Sequence, residues 1–313
     1  MKWFLLMPVA ASLLYVVGAM FIKRAAQAGF DVWRSSTFLS VSTAIVFAML
    51  VPLCPLGDSP QPGPEWRQDW WQPTVAAVLF TVGQLLILLA FSRGDVSVAT
   101  PALGAKSVFV AWFSTLVLQT TLPWQLWASA CMSTVAIVFL NLGGATTATR
   151  RQGETTALAL AAAAAFALFD VLVQKWSVAW GPARFLPALF GIAAVLSLGW
   201  IPLFPKAAVP SSEISNLNSE IGIRARNSAL FWMLGGALFF SLQLLLLMLS
   251  VARDAVSVNV VYSLRSLWGV GLVWLIGHWF DNQERHMATR LLVWRMAGAA
   301  LMTAAIVLTV TRS

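Results

Sequence analysis

Three charged side chains stand inside otherwise apolar stretches: Lys106, Asp170 and Arg265. A charge at the middle of a lipid-embedded helix costs about 2.5–3.5 kcal/mol on insertion scales, so such a residue needs a partner or a task. Lys106 and Arg265 each fall about ten residues into an apolar run, too deep for their stems to reach the membrane surface easily. Two cations facing one cavity repel unless negative charge lies between them. They therefore suit an anionic solute, such as a carboxylate, a phosphate ester or a nucleotide-linked compound. Arg265 would offer a planar fork and Lys106 a point charge. The alternative is structural pairing with Asp170 or with helix-end carbonyls. Asp170 could carry a proton during a transport cycle, or sit in a salt bridge to Lys106, Arg265 or Lys175. Gln84 and Gln243 could line a cavity or tie helices together by hydrogen bonds. Asn259 and Tyr262 are further candidates for the same cavity, with Asn141, Gln174 and Ser263 behind them. Pro101 removes one helical hydrogen bond and reads as a kink near a helix start.

Other chemistries find no footing. Cys54 and Cys131 form no ligand spacing, and His278 and His286 both fall near one late polar break, so no metal site is expected. There is no glycine-rich phosphate cradle after a strand, which argues against direct use of ATP. No nucleophile or acid–base pair is apparent, so the chain does not read as an enzyme, and no cofactor is called for. The net charge is +8, but it is scattered in short breaks without a basic block, so no nucleic-acid partner is indicated.

The elements that must hold these residues are membrane helices. The 313 residues are 59% hydrophobic and only 10% charged, whereas soluble domains carry about 25% charged residues. Sixteen tryptophans fit a membrane protein, since Trp gathers at the lipid–water interface. Apolar runs of spanning length recur at roughly 3–23, 36–54, 73–92, 96–118, 124–144, 156–177, 184–204, 228–250, 255–278 and 290–310. Backbone groups in lipid must be paired internally, and runs such as Leu85–Leu89 and Leu244–Leu249 lack the alternation of a barrel strand, so each run should be a helix. The N-terminal run is longer than a usual signal core and is followed by Lys23 and Arg24, so it reads as the first span. The polar break over roughly 205–227 reads as a connecting loop, with a short surface helix as the alternative.

The spans repeat. Gln84 and its following leucines are echoed by Gln243 and its leucines. Ser97 and Ser257, then Lys106-Ser107 and Arg265-Ser266, recur in the same order at near-constant spacing, as do Lys23 and Gly29 with Lys175 and Gly181. Two five-helix halves follow, residues 1–147 and 148–313. Five is odd, so the second half enters the membrane in the opposite sense. Such inverted repeats carry the solute site at their interface near the bilayer midplane.

Two stretches carry a family likeness: 96–109, reading Val-Ser-Val-Ala-Thr-Pro-Ala-Leu-Gly-Ala-Lys-Ser-Val-Phe, and 256–268, reading Val-Ser-Val-Asn-Val-Val-Tyr-Ser-Leu-Arg-Ser-Leu-Trp. With the five-plus-five layout, they resemble the ten-helix, EamA-type members of the drug/metabolite transporter superfamily. Ser107 and Ser266 stand where that family usually has proline. Gln119-Thr120-Thr121 and Asp281–Arg285 stand near its Gly-Glu-Arg positions. The resemblance implies an all-α membrane protein of ten helices in two inverted repeats, working as a solute transporter. Phosphate translocators of plastid type, in the same superfamily, are similar in placing basic residues on the corresponding helices.

The expected function is therefore secondary transport of a small anionic or zwitterionic metabolite by alternating access, in a cell (inner or plasma) membrane. Export of lipophilic cationic drugs is the first alternative, and a non-transporting membrane assembly protein the second. The expected partners are the solute and the lipid bilayer. Small residues at Ala161–Ala165, Ala297, Gly298, Ala300 and Ala304 serve helix contact within the subunit or in a homodimer. The family default puts both termini in the cytoplasm, although Lys and Arg are more numerous, about eleven against six, in the breaks this makes external. Ten spans put both termini on one side. A topology reporter fused after Ser313 should read the same side as one at Met1, and one fused after Thr149 the opposite side. A shared side for Ser313 and Thr149 would contradict the count.

Overall fold

The computed structural model describes residues 3–28, 32–53, 69–93, 102–141, 152–199, 219–268 and 289–311. Pro101, Cys54, His278, His286 and the 281–285 segment lie outside these residues. Ten α-helices and two short 3-10 turns make up the described residues, with no strand among them. The helices are α1 (Leu6–Gln27), α2 (Val32–Ala48), α3 (Trp71–Arg93), α4 (Lys106–Val117), α5 (Trp124–Asn141), α6 (Gln152–Trp180), α7 (Pro182–Leu198), α8 (Ser219–Val251), α9 (Ala255–Tyr262) and α10 (Thr289–Val310).

Four segments are long and apolar enough to cross a membrane: Leu6–Ala25, Gly153–Trp180, Ser228–Val251 and Val293–Val310. Shorter apolar helices cover Trp71–Ile87, Ala102–Val117, Trp124–Leu140 and Pro182–Leu198. Large apolar side chains such as Val78, Leu116, Val195, Phe231, Leu234, Val293 and Met296 are exposed. In water such a surface would aggregate; in lipid it is the solvated face.

Three boundaries differ from the sequence reading. α8 begins at Ser219, inside the stretch read as a connecting loop. Its polar first turns hide a helix that becomes apolar only from about residue 228. α9 is short: its regular part ends at Tyr262, residues 263–264 form a turn, and helix resumes over 265–268. α4 has the same form, with a helical turn over 102–104, a break at Ala105, and α4 proper starting at Lys106. The bonding around the two breaks coincides. The N–H of Ala105 donates to the Ala102 carbonyl and that of Leu264 to the Val261 carbonyl, both at 3.1 Å and both three residues back. The N–H of Phe109 then donates to Ala105 O and that of Trp268 to Leu264 O. Each helix thus tightens into one 3-10 step immediately before its cation.

Local chemistry explains several helix ends. Asp254, extended at φ −157, caps α9: its carboxylate accepts from the Ser257 N–H at 3.1 Å and the Ser257 hydroxyl at 2.6 Å. Gly181 takes φ 74 so that the chain can turn from α6 straight into Pro182 at the start of α7.

The principal helix pairings are α1 with α8, α3 with α6, α5 with α10 and α2 with α7. α4 packs on α6 and α5, and α9 touches α1, α4, α8 and α10. A cluster of aromatic rings fills the junction of α2, α3, α6 and α7. There Phe47 stacks on Phe190 at 4.3 Å, and Phe80 meets Phe169 and Phe190 at 5.2 and 5.3 Å. Glycine permits the closest approaches. A Cβ at Gly298 would lie 3.0 Å from the Ala136 carbonyl and 3.0 Å from the Leu140 nitrogen. Backbone cannot yield as a side chain can, so α10 sits on α5 only because this position is bare. Gly298→Ala should therefore lower thermal stability, by about 1–3 kcal/mol of overpacking strain. Gly191→Ala, with nothing within 4 Å, should be neutral or stabilising through helix propensity. Thermal unfolding of the two variants in detergent checks the contrast.

Candidate functional site

The two helix breaks carry the cations to the middle of the bundle. Lys106 Nζ lies 2.7 Å from Asp170 Oδ2, joining α4 to α6. The same oxygen accepts a hydrogen bond of 2.7 Å from Asn259 Nδ2, which also donates to Ala255 O at 2.9 Å. Asn259 thereby brings α9 onto the pair and uses both of its amide hydrogens. Asp170 Oδ1 is buried and has no hydrogen-bond partner among the described residues. Lys106 Nζ also stands 5.9 Å above the ring of Phe166, one turn before Asp170 on α6.

Arg265 is held differently. Its guanidinium lies 4.7 Å from the Tyr262 ring centre and 5.2 Å from that of Tyr15 on α1. The two rings meet edge to face at 6.1 Å. Tyr262 donates its hydroxyl to Gln243 Oε1 at 2.8 Å, anchoring α9 to α8. Among the described residues no carboxylate lies within ion-pair distance of Arg265, so its charge rests on ring faces. Lys106 and Asp170 are both near enough for their charges to act within this group.

Burial divides the cluster by sign. Asp170, Asn259, Tyr262 and Gln243 are buried, Asp170 completely. Lys106, Arg265 and Tyr15 remain partly exposed. The less buried members of the cluster are thus the two cations and Tyr15. The negative charge is sealed.

Of the residues singled out in the sequence, Lys106, Asp170 and Asn259 form one contact group, and Arg265, Tyr262 and Gln243 a second beside it. The structural pairing considered for Lys106 is the arrangement observed: its charge is met by Asp170. Lys175 is not the partner of Asp170; it donates to Val117 O at 3.3 Å. Gln174 ties the start of α9 to α6, accepting from the Ala255 N–H at 3.0 Å and donating to Arg253 O at 3.3 Å. Gln84 stands apart, accepting from the Ser40 hydroxyl at 3.5 Å. Tyr15 and Phe166 were not read from the sequence. A signal for Tyr15 existed: the chain has only two tyrosines among 37 aromatic residues, and both face Arg265.

The described residues form an all-helical bundle with an apolar outer surface and a polar, charged centre. Residues 1–142 match the model of the EamA-like transporter family. Over those residues the chain is similar to that family, which is one of transporters and not of enzymes. A crystal structure of a protein 14% identical in sequence has a TM-score of 0.67, over 98% of this chain and 96% of its own; that likeness is one of fold. No curated protein matches the sequence.

Removing one partner of a buried pair leaves the other uncompensated, at about 3–5 kcal/mol, while removing both together costs far less. Lys106→Gln and Asp170→Asn should therefore each lower the unfolding midpoint markedly. The double variant should be more stable than the sum of the single losses predicts. A double-mutant cycle by thermal unfolding measures the coupling, and strict additivity would contradict the pairing.

Proposed function

We propose that this protein is a secondary transporter that moves a small anionic or zwitterionic metabolite by alternating access. The observation that carries the reading is the division of the central cluster, in which the cations Lys106 and Arg265 are only partly buried while the carboxylate of Asp170 is fully buried and paired. An anionic group entering from water would meet the guanidinium fork and the ammonium first. A lipophilic cation would need an open carboxylate, and Asp170 is already engaged with Lys106 and Asn259.

The halves 1–147 and 148–313 are proposed to be inverted repeats, with α1–α5 corresponding to α6–α10. Helix pairing supports this. Exchanging the two sets turns the α1–α8 contact into the α6–α3 contact and returns α2–α7, α5–α10 and α4–α9 to themselves. The matching hydrogen bonds at the two breaks support it further. Gln84 and Gln243 fall at the same separation as Lys106 and Arg265. In such a plan the site lies on the pseudo-symmetry axis, and the two halves exchange roles to open it to either side. Asp170 serves as the fixed counter-charge. The protein would reside in a cell (inner or plasma) membrane with both termini on the cytoplasmic side, as a monomer or as a homodimer formed through its small-residue faces.

Thermal unfolding of purified protein against matched panels of anionic, zwitterionic and cationic metabolites tests the proposal. Stabilisation by anions or zwitterions, lost in Arg265→Gln, is expected. Stabilisation by cations alone, or an anion effect untouched in Arg265→Gln, would overturn it.

A further inference from the structure

Among the described residues the cluster holds two cations and one carboxylate, so one positive charge is left over. The balance belongs to the group as a whole: Asp170 bonds Lys106 directly and acts on Arg265, and the two cations act on each other. Two ring faces spread the charge of Arg265 but cannot cancel it. An uncompensated charge away from water is costly, and the cost falls when the total reaches zero.

We infer that the site selects its solute by valence, accepting a single net negative charge and discriminating against dianions. The inference rests on the anion reading above and deepens it. One monoanionic group on Arg265 brings the sum of Lys106, Arg265, Asp170 and solute to zero. A dianion leaves one negative charge in excess, beside the buried carboxylate of Asp170. A net-neutral zwitterion leaves the original positive charge. Asp170 is thus a specificity-determining residue that need not touch the solute: it sets how much negative charge the site admits.

The consequence is a reversible change of preference. With Lys106 still protonated, as neutral or mildly acidic pH favours, Asp170→Asn raises the excess to two positive charges, and the favoured solute should become a dianion. Adding Lys106→Gln to that variant returns the excess to one, and the monoanion should be favoured again. No loss of folding or non-specific weakening of the site produces this pattern, because it runs in opposite directions in the two variants.

The experiment compares acetate with malonate as probes at neutral pH, where malonate carries two charges. Acetamide is the neutral control, ionic strength is balanced with sodium chloride, and the readout is the shift in unfolding midpoint of the full-length protein in detergent. Each variant is referenced to its own ligand-free midpoint. In the wild type, acetate should shift the midpoint more than malonate. The order should reverse in Asp170→Asn and revert in the Lys106→Gln, Asp170→Asn variant. If Asp170→Asn keeps the wild-type order, or the double variant keeps the reversed one, valence selection is wrong while the anion site stands. If neither anion shifts the wild type, or the shifts survive in Arg265→Gln, the anion site itself is wrong and this inference falls with it.

Discussion

The ion pair between Lys106 and Asp170 is the constraint from which the centre of this molecule is built. Neither residue could stand alone at that depth. Packed helices enclose Asp170 completely, and an isolated charge in a medium of low polarity would be too expensive to fold around. Together they fix α4 against α6 at a separation of 2.7 Å, and the carboxylate recruits Asn259 and with it α9. Arg265 makes no ion pair with that carboxylate and lodges on the faces of Tyr15 and Tyr262. Tyr262 then reaches Gln243 on α8. Five helices are linked by one chain of polar contacts that begins at a single carboxylate.

Gly18 on α1 stands where the proposed repeat would match Asp170, and it does the opposite job. A Cβ there would come within 2.9 Å of the Phe240 ring and 3.2 Å of Phe239 Cβ. Where α6 uses its side chain to hold a charge, α1 dispenses with one to let α8 close in. The hydrogen bonds at the two helix breaks are alike, while the residues that meet the two cations differ.

Much of this was legible in the sequence. Ten apolar runs became ten helices in the same order, because a chain in lipid has little choice but to satisfy its backbone locally. Lys106, Asp170 and Arg265 declared themselves by the cost of their charge. What was hidden follows from the same physics. Tyr15 looked like any aromatic residue in a span, since its role depends on which helix packs against α1. The breaks before Lys106 and Arg265 carry no proline, and Ala105 and Leu264 are good helix formers, so the bends come from tertiary packing and not from propensity. The start of α8 was missed because Glu220, Arg224 and Arg226 read as a loop when hydropathy is the guide. The choice of partner for Lys106 was open because distance along the chain says nothing about distance across a bundle.

Asp170 binds both of its donors through one oxygen and leaves the other idle, enclosed among helices. That spare lone pair has a kinetic meaning. A carboxylate with both oxygens committed must release one donor before it accepts another, and would pass through a moment of bare charge. Here an incoming donor can be taken up first and an old one dropped afterwards, so the exchange proceeds by association and its barrier stays low. If the proposed transport cycle moves α4 or α9 against α6, Asp170 is an anchor that can change hands without letting go.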